Sequence, residues 1–130
     1  MESELVGRLR RCLEAQPGVR FALVFGSQAR GTARAVSDVD VAIAGHGVDR
    51  FALGATLAEA LDREVDVVAL EDASIPLLEE LVRDAVLVHE AVPGAFARWR
   101  SHTLADLELD GPWYARMRDA YLARLRREQA

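Results

Sequence analysis

Apolar side chains recur along the chain with two different periods, and these periods predict alternating helices and strands. Residues 3 to 15 carry an apolar side chain every three or four positions, which is typical of a helix with one buried face. Residues 19 to 25 form a short apolar run, and residues 38 to 44 begin by alternating acidic with apolar side chains. Both segments are typical of strands.

The middle of the chain continues this alternation. Residues 50 to 61 predict a helix with Asp49 as its N-cap. The apolar face expected for this helix consists of Phe51, Leu53, Leu57 and Leu61. Residues 64 to 70 predict a third strand, residues 74 to 84 a capped helix, and residues 85 to 89 a fourth strand at a sheet edge.

The tail of the chain predicts two further helices, residues 94 to 107 and 113 to 127. The break is expected at residues 110 to 112, because proline lacks the N–H that a helix interior requires. Both tryptophans and both tyrosines of the protein lie in this tail. Such a segment can cover the sheet or dock a partner, and the sequence leaves both possibilities open.

Two neighbouring segments carry the residues with the clearest chemistry. Gly26 and Ser27 follow the first strand, where a residue without Cβ lets the backbone approach a ligand and a hydroxyl can hold phosphate oxygens. Asp38 and Asp40 are one residue apart at the start of the second strand, so their carboxylates project from the same face. Because adjacent like charges favour a bound cation or a shared proton, the pattern indicates a phosphate-binding turn followed by a metal-binding strand.

The order of these features resembles a known signature. The pattern resembles that of the nucleotidyltransferase superfamily built on the DNA polymerase β-like palm. It consists of a strand, Gly26-Ser27, ten intervening residues and then Asp38-Val39-Asp40. The chain is most similar to the minimal nucleotidyltransferases that pair with HEPN-domain partners as antitoxins. The resemblance covers about residues 19 to 90, and it implies an α/β (α+β) fold in which helices flank a small mixed sheet and a helical tail follows.

The resemblance also implies a division of the chain and a set of site residues. Residues 1 to 92 are expected to form the minimal nucleotidyltransferase domain. Residues 93 to 130 are expected to form a helical extension, either part of the same domain or a partner-docking segment. The expected catalytic and metal-binding residues are Asp38, Asp40 and Asp66, and the expected nucleotide-binding residues are Gly26, Ser27 and Arg30.

Two of these assignments have plainer alternatives. Asp66 lies inside a valine-rich strand, where the resemblance places a third carboxylate that binds metal or accepts the acceptor's proton. It could instead belong to an exposed polar face of that strand. Arg30 could contact triphosphate oxygens or fix its loop, because its planar fork suits both tasks, or it could be an ordinary exposed loop residue.

The activity implied by the resemblance is transfer of AMP from ATP, with two Mg²⁺ ions, to a hydroxyl of a partner protein. The expected acceptor is a tyrosine of a HEPN-type ribonuclease toxin, which the modification would silence. Two alternatives remain: a non-catalytic antitoxin that occludes its partner, and a small-molecule nucleotidyltransferase. The second usually carries another domain, and 130 residues leave little room for one.

Charge and composition narrow the possible partners and the compartment. The net charge is −5, which argues against direct binding of a polynucleotide. Cys12 is the only cysteine, so an intramolecular disulfide is impossible and a reducing cytoplasm is expected. No apolar run approaches the length of a membrane span, and the first residues lack the features of a signal peptide, so no membrane association is expected.

Overall fold

The computed structural model describes residues 3–26, 29, 31 and 38–129 of the 130-residue chain. The elements in chain order are α1 (Ser3–Glu14), β1 (Val19–Phe25), β2 (Val39–Gly45), α2 (Arg50–Leu61), β3 (Val65–Ala69), a 3₁₀ turn (Leu70–Asp72), α3 (Ile75–Asp84), β4 (Val86–Glu90) and α4 (Ala95–Gln129). Asp49 caps α2 by accepting hydrogen bonds from the backbone of Phe51 and Ala52, and Ser74 caps α3 through Leu77.

The four strands form one mixed sheet in the order β3-β2-β1-β4. Strand β1 pairs antiparallel with β2 and β4, whereas β2 and β3 are parallel and are joined through α2. The predicted mixed sheet flanked by helices is therefore confirmed, and so is the position of β4 at a sheet edge.

Each face of the sheet is covered by two helices. Helices α1 and α2 pack on the face that carries Val39, Val41 and Ile43, as the alternation along β2 predicts. Helix α3 and the beginning of α4 pack on the other face, against Phe21, Leu23 and other apolar residues. The start of α4 is held by Glu90, whose carboxylate accepts a 3.0 Å hydrogen bond from the Phe96 N–H.

One residue expected on the buried face of α2 is exposed. Leu53, Leu57 and Leu61 are buried, but Phe51 is 78% exposed. The Arg50 guanidinium carbon lies 5.1 Å from the centroid of the Phe51 ring. The prediction for Phe51 was wrong because residues two apart on a helix differ by about 200° in direction, so Phe51 and Leu53 point to nearly opposite sides.

The tail forms one helix of 35 residues, and the predicted break at residues 110 to 112 was wrong. Pro112 lies inside α4, where it removes one hydrogen bond. The usual clash of proline with the Cβ of the preceding residue does not arise, because that residue is Gly111. Long as α4 is, no helix among the described residues is both long and apolar enough to cross a membrane.

Phe21 anchors α4 to the sheet, and its truncation provides a stability test. Its ring is 2% exposed and lies 5.9 Å from Phe96 and 6.0 Å from Trp99, measured between centroids. We expect Phe21→Ala to lower the free energy of unfolding by about 3–5 kcal/mol, because it removes a buried ring and leaves a cavity. Urea denaturation measures the change.

The exposed Phe51 supplies the matched control for this substitution. Phe51→Ala should change the free energy of unfolding by no more than about 0.5 kcal/mol. Equal losses in the two variants would contradict the assignment of Phe21 to the core.

Candidate functional site

Asp40 and Asp66 lie side by side on two parallel strands. The register pairs Phe25 of β1 with Asp40 of β2, and Asp40 with Asp66 of β3, so the three residues form one row across the sheet. The next row on the same face is apolar and consists of Leu23, Ala42 and Val68. The structure therefore brings two of the three predicted carboxylates together, at the end of the sheet where β2 and β3 begin.

These two carboxylates differ in exposure. Asp66 is exposed and Asp40 is half-buried. Neighbouring strands lie about 4.8 Å apart, so the two side chains start from adjacent backbone positions. Like charges directly opposite each other in a sheet repel, so the pairing of these two carboxylates carries an electrostatic cost.

Gly26 lies directly against the Asp40 carboxylate. It follows β1 with a φ of +75°, in the left-handed region that favours glycine. A Cβ added at this position would be 2.5 Å from Oδ2 of Asp40, closer than two such atoms can approach. The glycine predicted as part of a phosphate-binding turn is thus required for the placement of Asp40 as well.

Asp38 lies immediately before β2 and is exposed. Among the described residues, no group of three or more His, Cys, Asp or Glu side chains is close enough to hold a metal ion. The structure therefore does not bring Asp38, Asp40 and Asp66 together as a complete three-carboxylate site. The predicted nucleotide-binding residues Ser27 and Arg30 lie outside the described residues.

A cleft of about 820 Å³ contains the paired carboxylates. It follows the outer edge of β3, where Val65 to Val68 contribute side chains from both faces of the strand. Its remaining wall residues come mainly from α2 and include Arg50, Phe51 and Gly54. This volume is in the range of small-molecule sites in proteins.

Arg50 and Phe51 were not among the predicted site residues. They also line a second cleft, of about 610 Å³, at the opposite ends of β2 and β3. The Arg50 guanidinium lies 3.5 Å from Asp72 across this end of the sheet. The 200° offset between Phe51 and Leu53 was the sequence signal that could have identified Phe51 as exposed.

The donor set at the first cleft suits a hard divalent cation. Carboxylate oxygens are the preferred ligands of Mg²⁺, which is commonly held by one or two carboxylates together with substrate phosphates rather than by a closed protein cage. Asp40 and Asp66 provide two adjacent carboxylates, and the absence of a Cβ at Gly26 lets the Asp40 carboxylate lie close to the backbone that follows β1. The residues present therefore fit magnesium with a nucleotide.

Known proteins share this fold and motif. Residues 8–92 match the family described as polymerase beta, nucleotidyltransferase. The match covers more than half of the chain, so the protein belongs to this nucleotidyltransferase family.

One curated relative is similar over about half of the chain. An alignment of 70 positions, which covers 51% of this chain, shows 36% identity to protein adenylyltransferase MntA from Shewanella oneidensis strain MR-1. That alignment covers 50% of the relative, so the match spans about half of the relative's length.

Solved structures extend the similarity to most of the chain. A chain in a crystal structure of a toxin–antitoxin with AMP-PNP superposes with a TM-score of 0.74 and 25% identity, covering 89% of this chain and 98% of that one. A chain in the structure of a tri-AMPylated Shewanella oneidensis HEPN toxin in complex with MNT antitoxin gives a TM-score of 0.71. Its identity is 22%, with 93% of this chain and 99% of that chain covered, which supports the fold alone.

Proposed function

We propose that this protein transfers AMP from ATP to a hydroxyl of a partner protein and so acts as an antitoxin. The proposed acceptor is a tyrosine of a HEPN-type ribonuclease toxin. The observation that carries the proposal is the row of Asp40 and Asp66 beside Gly26, in a chain of the nucleotidyltransferase family. The name of the similar protein adenylyltransferase and the AMPylated HEPN toxin in a similar complex support the acceptor class.

In the proposed chemistry the carboxylates bind metal ions that neutralise the charge of the triphosphate. Asp38, Asp40 and Asp66 would hold two Mg²⁺ ions, which when bound polarise the α-phosphate and neutralise the leaving pyrophosphate. Asp40 is fixed in place by β2 and by its contact with Gly26, so it supplies the rigid part of the site. Asp38 precedes the strand and would complete the donor set once a nucleotide contributes phosphate oxygens.

The acceptor hydroxyl attacks the α-phosphorus in the proposed reaction. A new oxygen–phosphorus bond forms, the bond from the α-phosphorus to the bridging oxygen breaks, and pyrophosphate leaves. Asp66 is exposed to the cleft and adjacent to Asp40, so its carboxylate is placed to accept the hydroxyl proton. Gly26, Ser27 and Arg30 would hold the leaving phosphates.

We further propose that residues 1 to 92 form the catalytic domain and residues 93 to 130 an extension of it. The family match ends at residue 92, and α4 begins at Ala95. The proposed location is the cytoplasm, which the single cysteine supports.

The proposal is tested by intact-mass spectrometry of the adjacent gene's product after incubation with this protein, ATP and Mg²⁺. We expect its mass to rise by one or more AMP groups, because the carboxylates would hold the Mg²⁺ ions that polarise the α-phosphate. The double variant Asp38→Asn, Asp40→Asn, which removes two of the three proposed ligands, should give no increase.

Two results would contradict this proposal. If both versions form a stable complex and neither modifies the partner, the protein is a non-catalytic antitoxin that acts by occlusion. If the double variant modifies the partner as fast as the unmutated protein, the carboxylates at the start of β2 do not take part.

A further inference from the structure

Helix α4 is much longer than the sheet it covers. Its 35 residues extend over about 52 Å at a rise of about 1.5 Å per residue. Phe96 and Trp99 pack on the sheet face near its beginning, and Thr103 is buried. Residues 104–129 are all described by the structure, and none of them is buried.

The face that packs on the sheet is repeated further along the same helix. Positions 18 residues apart lie on one line of an α-helix, because about 3.6 residues complete a turn and 18 complete about five. The packed positions Phe96, Trp99 and Thr103 therefore align with Tyr114, Met117 and Tyr121, and the half-buried Leu107 aligns with Leu125. We call the second set, together with the neighbouring Trp113, the distal stripe.

Three of the five residues in the distal stripe are exposed, and the other two, Tyr114 and Leu125, are half-buried. Trp113, Met117 and Tyr121 are 56%, 53% and 52% exposed. Single exposed apolar residues are common, but a row of large ones on one helix face marks an interaction surface. Its composition supports this, because Trp, Tyr, Met and Arg are the residues enriched in interfaces between proteins.

Arginine flanks the stripe on both sides. Arg116 and Arg118 lie on either side of Met117, and the Arg124 guanidinium lies 5.5 Å from the centroid of the Tyr121 ring. Residues 110 to 129 contain five arginines and three acidic residues, whereas the whole chain has a net charge of −5. The distal part of α4 is therefore a basic segment on an acidic protein.

We propose that the distal stripe is the docking surface for the acceptor protein, which binds it with a helical face whose apolar residues are flanked by carboxylates. This inference rests on the proposed function for the identity of the partner. A helical occupant fits because the stripe continues the line of Phe96 and Trp99, which share one apolar cluster with Leu77 and Leu81 of α3. A second copy of this chain fits less well, since pairing two distal stripes would place arginines opposite arginines.

The test compares two charge insertions on the same helix. Met117→Glu places a carboxylate in the centre of the stripe, whereas Leu122→Glu places one at a position that is also exposed, at 43%, but lies off the stripe. We expect Met117→Glu to weaken the complex with the adjacent gene's product at least about 30-fold, as removal of a central interface residue does. Leu122→Glu should change the dissociation constant less than about threefold. Isothermal titration calorimetry measures both, and circular dichroism verifies that the helix is retained.

A second pair of measurements tests the charge of the partner. Arg116→Glu, Arg118→Glu should weaken the complex about 10-fold or more at low ionic strength and less at high ionic strength, because exposed charge interactions are screened by salt. Equal binding at all salt concentrations would overturn the proposal of an acidic partner surface.

The same samples separate this inference from the proposed function. AMP transfer by the unmutated protein together with unchanged binding by Met117→Glu overturns the docking surface and leaves the activity. Loss of binding by Met117→Glu without any AMP transfer by the unmutated protein retains the docking surface and overturns the activity. Absence of a complex with the unmutated protein overturns the docking surface. The proposal is also overturned if the unmutated chain sediments as a dimer and Met117→Glu sediments as a monomer, because the stripe would then bind a second copy of this chain.

Discussion

Asp66→Asn is expected to reduce the rate of AMP transfer by about 10²–10⁴-fold, the contribution of a positioned general base. The amide keeps the size of the side chain but neither accepts a proton nor carries the charge that attracts a cation. The free energy of unfolding should stay the same or rise by less than about 1 kcal/mol, because the substitution removes one of two like charges that lie directly opposite each other. Single-turnover kinetics with saturating partner and urea denaturation measure the two effects.

The control for this substitution is Asp72→Asn. Asp72 follows the other end of β3, and its exposed ion pair with Arg50 contributes little to stability. We expect its transfer rate to stay within about twofold of the unmutated protein. An unchanged rate in Asp66→Asn would mean that this carboxylate belongs to an exposed polar strand face, as the sequence alone allows.

Gly26→Ala is expected to lower AMP transfer strongly while lowering the free energy of unfolding only slightly. The added Cβ would meet Oδ2 of Asp40 at 2.5 Å, and the atom that must yield is the end of a side chain rather than backbone. The carboxylate would therefore rotate away from its position in the row. We expect AMP transfer to fall at least about 100-fold, because a displacement of about 1 Å in a catalytic group has effects of this size.

The stability loss in Gly26→Ala should be smaller, about 1–2 kcal/mol, which is the strain of holding alanine at a positive φ. Gly47→Ala is the matched control, since Gly47 also has a positive φ of +68° but has open space around its Cβ position. It should lose similar stability and retain activity. Similar activity in the two variants would contradict the proposed role of Asp40. Thermal denaturation measures the stability of each variant, and the mass assay measures its AMP transfer.

The row of site residues could be predicted in part from local pattern. The alternation along β2 places Val39, Val41 and Ile43 on the buried face, and this fixes the opposite direction for Asp40. The residue beside Asp40 depends on which strand pairs with β2 and in which register. The local pattern of apolar residues carries no information on strand order or register. The assignment of Asp66 came from the family resemblance for this reason.

The two corrections also have local physical causes. Phe51 was assigned by hydrophobicity, although its position two residues before Leu53 directs it away from the core. The break at Pro112 was expected from the missing N–H, but α4 continues through this position with one hydrogen bond fewer, and the preceding Gly111 has no Cβ that the proline ring could meet. In both cases the type of a single residue was a poorer guide than its position in the helix and its neighbours.

The position of β3 at the edge of the sheet has a consequence for how the proposed activity could be switched off. Asp40 lies on a central strand held on both sides, whereas Asp66 lies on a strand with a single hydrogen-bonded neighbour. Local opening of an edge element requires less free energy than global unfolding. Fraying of β3 would separate the two carboxylates while β1, β2 and β4 stay paired, so the proposed catalytic pair can be taken apart without unfolding the rest of the sheet.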